Sequence, residues 1–443
     1  MTELYYPLRS LREGNWFKLI CGASFQHLPA VRNLTLAYTL AGADCIDVAA
    51  DPAVIASALD ALQVATEFGE EAQARGFGFS HRPLLMVSLN DGEDPHFRKA
   101  EFDPELCPAD CPRPCETICP AQAIVFQTAN HNITAGEQES KLTAGVSSSI
   151  PHDQSQMGSE KTHDGKPEPT SPPLNLPVSQ DSEKPRTTQG FSGVIDQRCY
   201  GCGRCLPICP SQLIYTRSYV SAPEAIAPLI LPSGVDALEI HTKVGHFTDF
   251  QRLWKAIAPW VNRLKLLAIS CPDGDGLIDY LWELHELIMP LPCPLVWQTD
   301  GRPMSGDIGI GATRAAVKLS QKVLSARLPG YVQLAGGTNA HTVMKLRATG
   351  LLNEREIENG KDEKITQIQN PKFYVAGIAY GSYARVLLSP ILEKLEQPNG
   401  EAVDANLESL PNPSLGYLEA FPSLLWQAVA TAHSLVSQLK SPK

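Results

Sequence analysis

Eight short apolar runs alternate with helical patterns along this chain, and they predict an α/β protein built as a (βα)8 barrel-like scaffold. Two compact cysteine runs stand where the helix of the third unit belongs, so the scaffold is expected to be interrupted by an insert. An open doubly wound α/β sheet is the alternative fold, because eight strands with helices between them fit both arrangements. At 443 residues the chain is long enough for two or three domains, or for one barrel with insertions.

The strand runs are "FKLICGA" (17–23), "CIDVAA" (45–50), "PLLMVSL" (83–89), "GVDALEIHT" (234–242), "LLAISC" (266–271), "PLVWQT" (294–299), "GYVQLAG" (330–336) and "KFYVAGI" (372–378). They read as near-continuous apolar segments, as strands covered on both faces do. "HLPAVRNLTLAYTLAG" ends on a helix-stopping Gly, and "DPAVIASALDALQVATEF" opens with an Asp cap and a Pro at the first helical position. Further helices are expected over 249–264, 276–288, 312–327, 339–349 and 382–397, with a C-terminal one near 418–440. No ordinary helix is read after "PLLMVSLN". From Gln127 to Gln189 there is no Phe, Trp or Tyr, and Ser, Thr, Pro, Gly and charged residues dominate. Such a stretch buries too little apolar surface to offset chain entropy and reads as a disordered tether, with a regulatory docking segment as the sharper reading. The expected organisation is a first part of the barrel at 1–95, an insert at 96–220 with the 127–189 linker inside it, a second part of the barrel at 221–400, and a C-terminal segment with a helix at 401–443.

A net charge of −11 argues against general nucleic-acid binding and offers no attraction to anionic membranes. No apolar stretch reaches the ~18 residues of a membrane span. The N-terminus shows neither the apolar core nor the cleavage site of a signal peptide, so a cytoplasmic location is expected. In that setting the 12 cysteines point to metal ligands or free thiols rather than disulfides.

The second cysteine run, "CYGCGRCLPICP", places Cys199, Cys202, Cys205 and Cys209 ahead of Pro210. This C-x2-C-x2-C-x3-C-P spacing is the bacterial [4Fe–4S] pattern; zinc is the bland alternative. The first run, "CPADCPRPCETICP", places Cys107, Cys111, Cys115 and Cys119 ahead of Pro120 with three-residue gaps throughout. Its tail "CPAQAIVF" and the lead-in "GVIDQRC" of the second run are those of a two-cluster ferredoxin, so the insert is expected to be a ferredoxin-like α+β unit. In that pattern the fourth cysteine of each run reaches the other cluster. Cys107, Cys111 and Cys115 with Cys209 then hold one cluster, and Cys199, Cys202 and Cys205 with Cys119 hold the other. The irregular spacing leaves [3Fe–4S] or zinc as alternatives at the first site. Cys21, Cys45, Cys271 and Cys293 read as packed thiols, with Cys21 and Cys271 as the candidates for reactivity.

"LAGGTNAHT" (334–342) and "AGIAYGSYAR" (376–385) follow the seventh and eighth strand runs, where barrels grip phosphate; their glycines read first as ordinary strand-to-helix turns, with a phosphate site, and so FMN, as the alternative. "GDIGIGATRAA" (306–316) lacks the dinucleotide fingerprint and reads as a helix start. Catalytic groups are hard to assign. Lys18 is expected to open the first strand, at the wrong end for a Schiff base, and Lys243 is a weak candidate. Asp273, Asp300 and His241 lie near strand ends with no spacing that links them. No catalytic set is read, and a plain electron carrier would not need a barrel of this size.

Taken together, "LREGNWFKLICGASFQHLPAVRNLTLAYTLAGADCIDVAADP", the odd run "CPADCPRPCETICP", "CYGCGRCLPICP", "LAGGTNAHT" and "AGIAYGSYAR" resemble the light-dependent period (LdpA) family of cyanobacteria. The resemblance spans nearly the whole chain except 127–189. It implies an iron–sulfur protein of the circadian input pathway that adjusts the clock period to light by sensing cellular redox state. It further implies the eight cysteines named above as metal ligands, and a clock-input histidine kinase and the Kai oscillator proteins as partners. The competing class is an Fe–S flavin-dependent oxidoreductase on the same scaffold.

Overall fold

The structure, a computed structural model, describes residues 6–126, 192–218, 222–301, 309, 311–353, 374–396 and 416–440. The tether expected at 127–189, most of 306–310 and the start of the last strand run lie outside the described residues.

Eight parallel strands close into a barrel: β1 (Trp16–Ile20), β2 (Cys45–Ala49), β3 (Leu84–Asn90), β4 (Ala237–His241), β5 (Leu266–Pro272), β6 (Leu295–Asp300), β7 (Tyr331–Ala335) and β8 (Gly377–Tyr380). Each pairs with its sequence neighbours, and β1 closes on β8 through Trp16 opposite Gly377. Helices Leu28–Leu40, Pro52–Glu67, Phe247–Ile257, Leu277–Ile288, Thr313–Ser325, Thr342–Ala348 and Ser382–Glu396 form the outer layer. Asp51 caps the second of these by accepting the N–H groups of Ala53 and Val54. The helix Pro422–Lys440 packs outside the first unit, and its Lys440 bonds Asp44 at 2.7 Å.

Three details differ from the sequence reading. The third unit does carry a helix, Pro223–Ile230, between insert and β4. The run "PEAIAPLI" hides it, because Pro228 lies inside. An N-terminal helix, Tyr6–Glu13, precedes the barrel. Lys18 does not open β1 but sits at its middle.

The period-two alternation of the strands sorts side chains into two environments. Outward residues such as Phe17, Leu19, Val48, Leu238, Ile269, Trp297 and Leu334 join the large core under the helices. Inward residues are layered. Trp16, Cys45, Met86, Ala237, Ala268, Val296 and Ala376 make an apolar floor. Above it lies a polar layer of Lys18, Asp47, Ser88, Glu239, Ser270, Gln298 and Gln333, all essentially buried. Barrel interiors are more often filled by Val, Ile and Leu, so this layer needs its own partners.

Between β3 and β4 the chain builds the insert. Arg98–Glu101 pairs antiparallel with Tyr215–Ser218, and Ile124–Val125 pairs antiparallel with Gly193–Val194. The strand before the first cysteine run therefore bonds the strand after the second, and the strand after the first run bonds the strand before the second. Short helices Pro114–Ile118 and Cys205–Ile208 carry the third cysteine of each run and pack on one another.

Candidate metal centre and the barrel mouth

The crossed strand pairing folds each C-P turn toward the opposite run, and two groups of thiols result. Cys199, Cys202 and Cys205 each lie in the field of Cys119. Cys107 and Cys115 lie in the field of Cys209, and Cys107 contacts Cys111. All eight are free of disulfides. Burial, then the neighbouring thiols Cys202, Cys199 and Cys119, push Cys205 up to about 12. Cys209 moves the other way. Its slight burial would raise it, but backbone N–H groups of residues 211–214 outweigh this and favour the thiolate. Ala100 N–H donates to the Cys199 sulfur at 3.3 Å and Ala123 N–H to the Cys119 sulfur at 3.2 Å.

The fit to an iron–sulfur group can be tested on spacing. Zn–S bonds of about 2.3 Å would draw thiolates to about 3.8 Å of one another. Among the described residues the set that brings three ligand atoms within 4.8 Å is Asp94, His96 and His241, and no cysteine set is that tight. Four thiols in each group are the donor set that holds [2Fe–2S] and [4Fe–4S] clusters. Cys115, Cys199 and Cys205 are buried, and the other five are half-buried. Tyr200, between two cysteines of the second run, is buried in the barrel core and packs edge-on against Phe25 at 5.7 Å. Lys99 adds a polar tie, bonding Gln26 of the β1 loop at 2.9 Å and Asp196 at 2.8 and 3.0 Å.

The C-terminal mouth of the barrel opens beside Tyr200. Its cavity is lined by Gly22, Ser88, His96, Glu239, His241, Gln298 and Asp300, and by Gly336–Thr338, Gly381, Ser382 and Arg385. A chain of ionisable groups alternating in sign rises from the polar layer to this mouth. Asp47 meets Lys18 at 3.0 Å, Lys18 donates to Glu239, and Glu239 meets His241 at 2.9 Å. His241 faces Asp94 at 3.7 Å, Asp94 meets His96 at 2.8 Å, and His96 meets Asp300 at 3.2 Å. Burial would lower His241, yet hydrogen bonds to Asp94 and Glu239 hold it well above the usual imidazole range. His96 is likewise raised, burial being outweighed by Asp300 and Asp94. Burial would raise Glu239, but Lys18 and His241 hold it down at about 2. Both imidazoles thus sit between carboxylates, and Asp94, His96 and His241 bring three ligand atoms within 4.8 Å of one another.

The structure joins two residues that carry no linking spacing, His241 and Asp300, through His96. The other candidates fall away from the mouth. Lys243 is exposed, and Asp273 forms a surface ion pair with Lys322 at 2.6 Å. Cys21 and Cys271 are buried, and burial pushes the Cys21 thiol up to about 12, as a packing role requires. Sequence reasoning missed the polar layer. The signal was present: β1 to β7 each carry one polar residue at the same inward level.

Fold and site together define an α/β-barrel protein with a cysteine-rich insert seated at its mouth. Comparison with known proteins supplies the insert's chemistry. Residues 107–139 and 183–220 match the LdpA Fe-S cluster-binding domain, and residues 229–438 match the Light dependent period A C-terminal domain. A relative from Synechococcus elongatus named "Light dependent period A" is 43% identical over 435 residues, covering 98% of this chain and 94% of the relative. The chain belongs to the Light dependent period A family. No solved structure matches it. Among the described residues no helix is long and apolar enough to cross a membrane.

Proposed function

We propose that the protein is an iron–sulfur redox sensor that relays light-driven changes in cellular redox state to the circadian clock and so adjusts its period. The crossed grouping of eight thiols carries this reading. Cys107, Cys111, Cys115 and Cys209 hold one cluster, [4Fe–4S] or [3Fe–4S]. Cys119, Cys199, Cys202 and Cys205 hold a second, [4Fe–4S]. When bound, such clusters supply reversible one-electron redox chemistry at a potential set by hydrogen bonds, charge and exposure.

The residues divide the task by position. The first group has three half-buried thiols and so offers the side open to an external electron donor or oxidant. The second group has two buried thiols and is seated on the barrel through Tyr200 and Cys202. N–H groups aimed at Cys199, Cys119 and Cys209 stabilise thiolate charge in either redox state. The working domain map is the one expected from the sequence, with 96–220 as the redox insert and 1–95 and 221–400 as its scaffold. The readers of the signal are a clock-input histidine kinase and the Kai oscillator proteins.

The first test is an anaerobic UV–visible spectrum of the purified chain with iron, sulfide and flavin assays on the same sample. Broad iron–sulfur absorbance with about eight iron and no flavin is expected for two [4Fe–4S] clusters. Stoichiometric flavin would replace the sensor by a flavin-dependent oxidoreductase. Cys205→Ser should abolish the redox response and leave the barrel's circular dichroism unchanged, and an intact response would end the proposal.

A further inference from the structure

We infer that the barrel mouth binds a small phosphate monoester whose other end carries hydroxyl or carbonyl oxygens. This goes beyond the redox reading and stands on the barrel alone. The cavity holds about 50 Å³ of water-accessible space and opens to solvent.

The first observation is Arg385. It is 6% exposed and lines the cavity. Its guanidinium donates to the carbonyls of Ile20 and Cys21 at 2.8 and 3.0 Å and to Ser382 Oγ at 2.9 Å, and it stacks on Tyr200 with 4.0 Å to the ring centroid. Among the described residues its Nε meets no acceptor. No carboxylate among the described residues lies within ion-pair distance of it. The other buried cations all have one: Lys18 has Asp47 and Glu239, Arg32 has Asp60 and Glu419, and Lys99 has Asp196. An arginine cannot shed its proton, so this buried charge calls for an anion.

The second observation is the wall around it. Gly337 and Thr338 follow β7, and Ser382 opens a 15-residue helix after β8. The N–H groups of Gly337, Thr338, Ser382 and Tyr383 make no hydrogen bond to a described residue. Donors therefore come to the space from one loop, a helix start and a guanidinium. A tetrahedral dianion can accept from all of them, whereas a planar carboxylate cannot. Glycine keeps that space clear, since a Cβ at Gly381 would sit 3.6 Å from Arg385 Nη1 and 3.8 Å from Ile20 Cβ. The far wall is Ser88, His96, Glu239, His241, Gln298 and Asp300. Each of these can hydrogen-bond a hydroxyl or carbonyl oxygen of the ligand, beside apolar surface from Ile20, Ala23, Ala335 and Ala379.

Gly381→Ala tests the inference, because its methyl fits the protein at ordinary contact distances yet occupies the anion's place. Binding of ribose 5-phosphate, inorganic phosphate and ribose to the full chain, purified anaerobically, is measured by calorimetry and phosphorus NMR. Ribose 5-phosphate should bind and be displaced by inorganic phosphate, ribose should not bind, and Gly381→Ala and Arg385→Gln should each weaken ribose 5-phosphate at least tenfold. Absence of saturable binding to the wild-type chain, equal binding of ribose, or unchanged affinity in Gly381→Ala would overturn it. Iron content is read on the same samples, so failure of the cluster reading is seen separately from failure here.

Discussion

Replacing Lys18 with Met should expose how the barrel tolerates a polar centre. Lys18 is wholly buried, and its ammonium serves Glu239, Asp47 at 3.0 Å and Gln298 Oε1 at 3.1 Å. Methionine fills a similar volume, so the change removes charge rather than packing. Breaking a buried pair from one side costs about 3–5 kcal/mol, because the remaining charge keeps its desolvation penalty. Glu239 retains His241 at 2.9 Å and Gln298 at 2.6 Å, and Asp47 retains Ser88 at 2.8 Å. These partners place the cost at the lower end, about 3 kcal/mol. Urea unfolding followed by tryptophan fluorescence measures it. The sign with pH is fixed by the carboxylates. Without Lys18 their folded pKa values rise above the unfolded ones, so the penalty is full at pH 8 and shrinks as pH falls through the carboxylate range. Lys18→Met combined with Glu239→Gln should recover at least half of the loss. A cost below 1 kcal/mol, or one that does not change between pH 8 and pH 5, would refute this account of the polar layer.

Three further outcomes are expected. Glu239, held at about 2 against an ordinary 4.5, contributes stability that is complete above 4.5 and lost as pH falls toward 2. His241, raised above 6.5, contributes stability that is complete below 6.5 and lost as pH rises through its folded pKa. Urea midpoints should therefore be flat between these limits and decline above 6.5, and His241→Gln should remove that alkaline decline. Gly377→Ala would set a methyl 2.2 Å from the Trp16 carbonyl oxygen on the neighbouring strand, so thermal unfolding should show a loss of about 3 kcal/mol where Gly381→Ala is near neutral. Lys99→Met should cost about 1–3 kcal/mol and speed proteolysis of the second cysteine run, read by mass spectrometry of the nicked chain.

The strands and helices were legible because each obeys a local rule. Apolar runs of strand length recur eight times, Asp51 and its following proline mark a helix start, and the cysteine spacings are local in sequence. Boundaries slipped where the local signal was weak. Strand β8 begins at Gly377 rather than in the 372–378 run as a whole, and the helix Pro223–Ile230 is masked by its internal proline. Lys18 was misplaced for the same reason: shifting β1 by one residue toward Trp16 moves it from an edge to the inward centre.

By itself the sequence determined the α/β alternation, the interruption of the third unit and the two cysteine runs, since periodicity and spacing act over a few residues. Only the tertiary structure decided which charges meet. Lys18 and Glu239 stand 221 residues apart, and Arg385 meets the Ile20 carbonyl across 365. Closing the barrel stacks one polar residue from each of seven strands into a single buried level. Low dielectric there forces those groups into pairs, whereas Arg385 at the mouth has no carboxylate partner among the described residues.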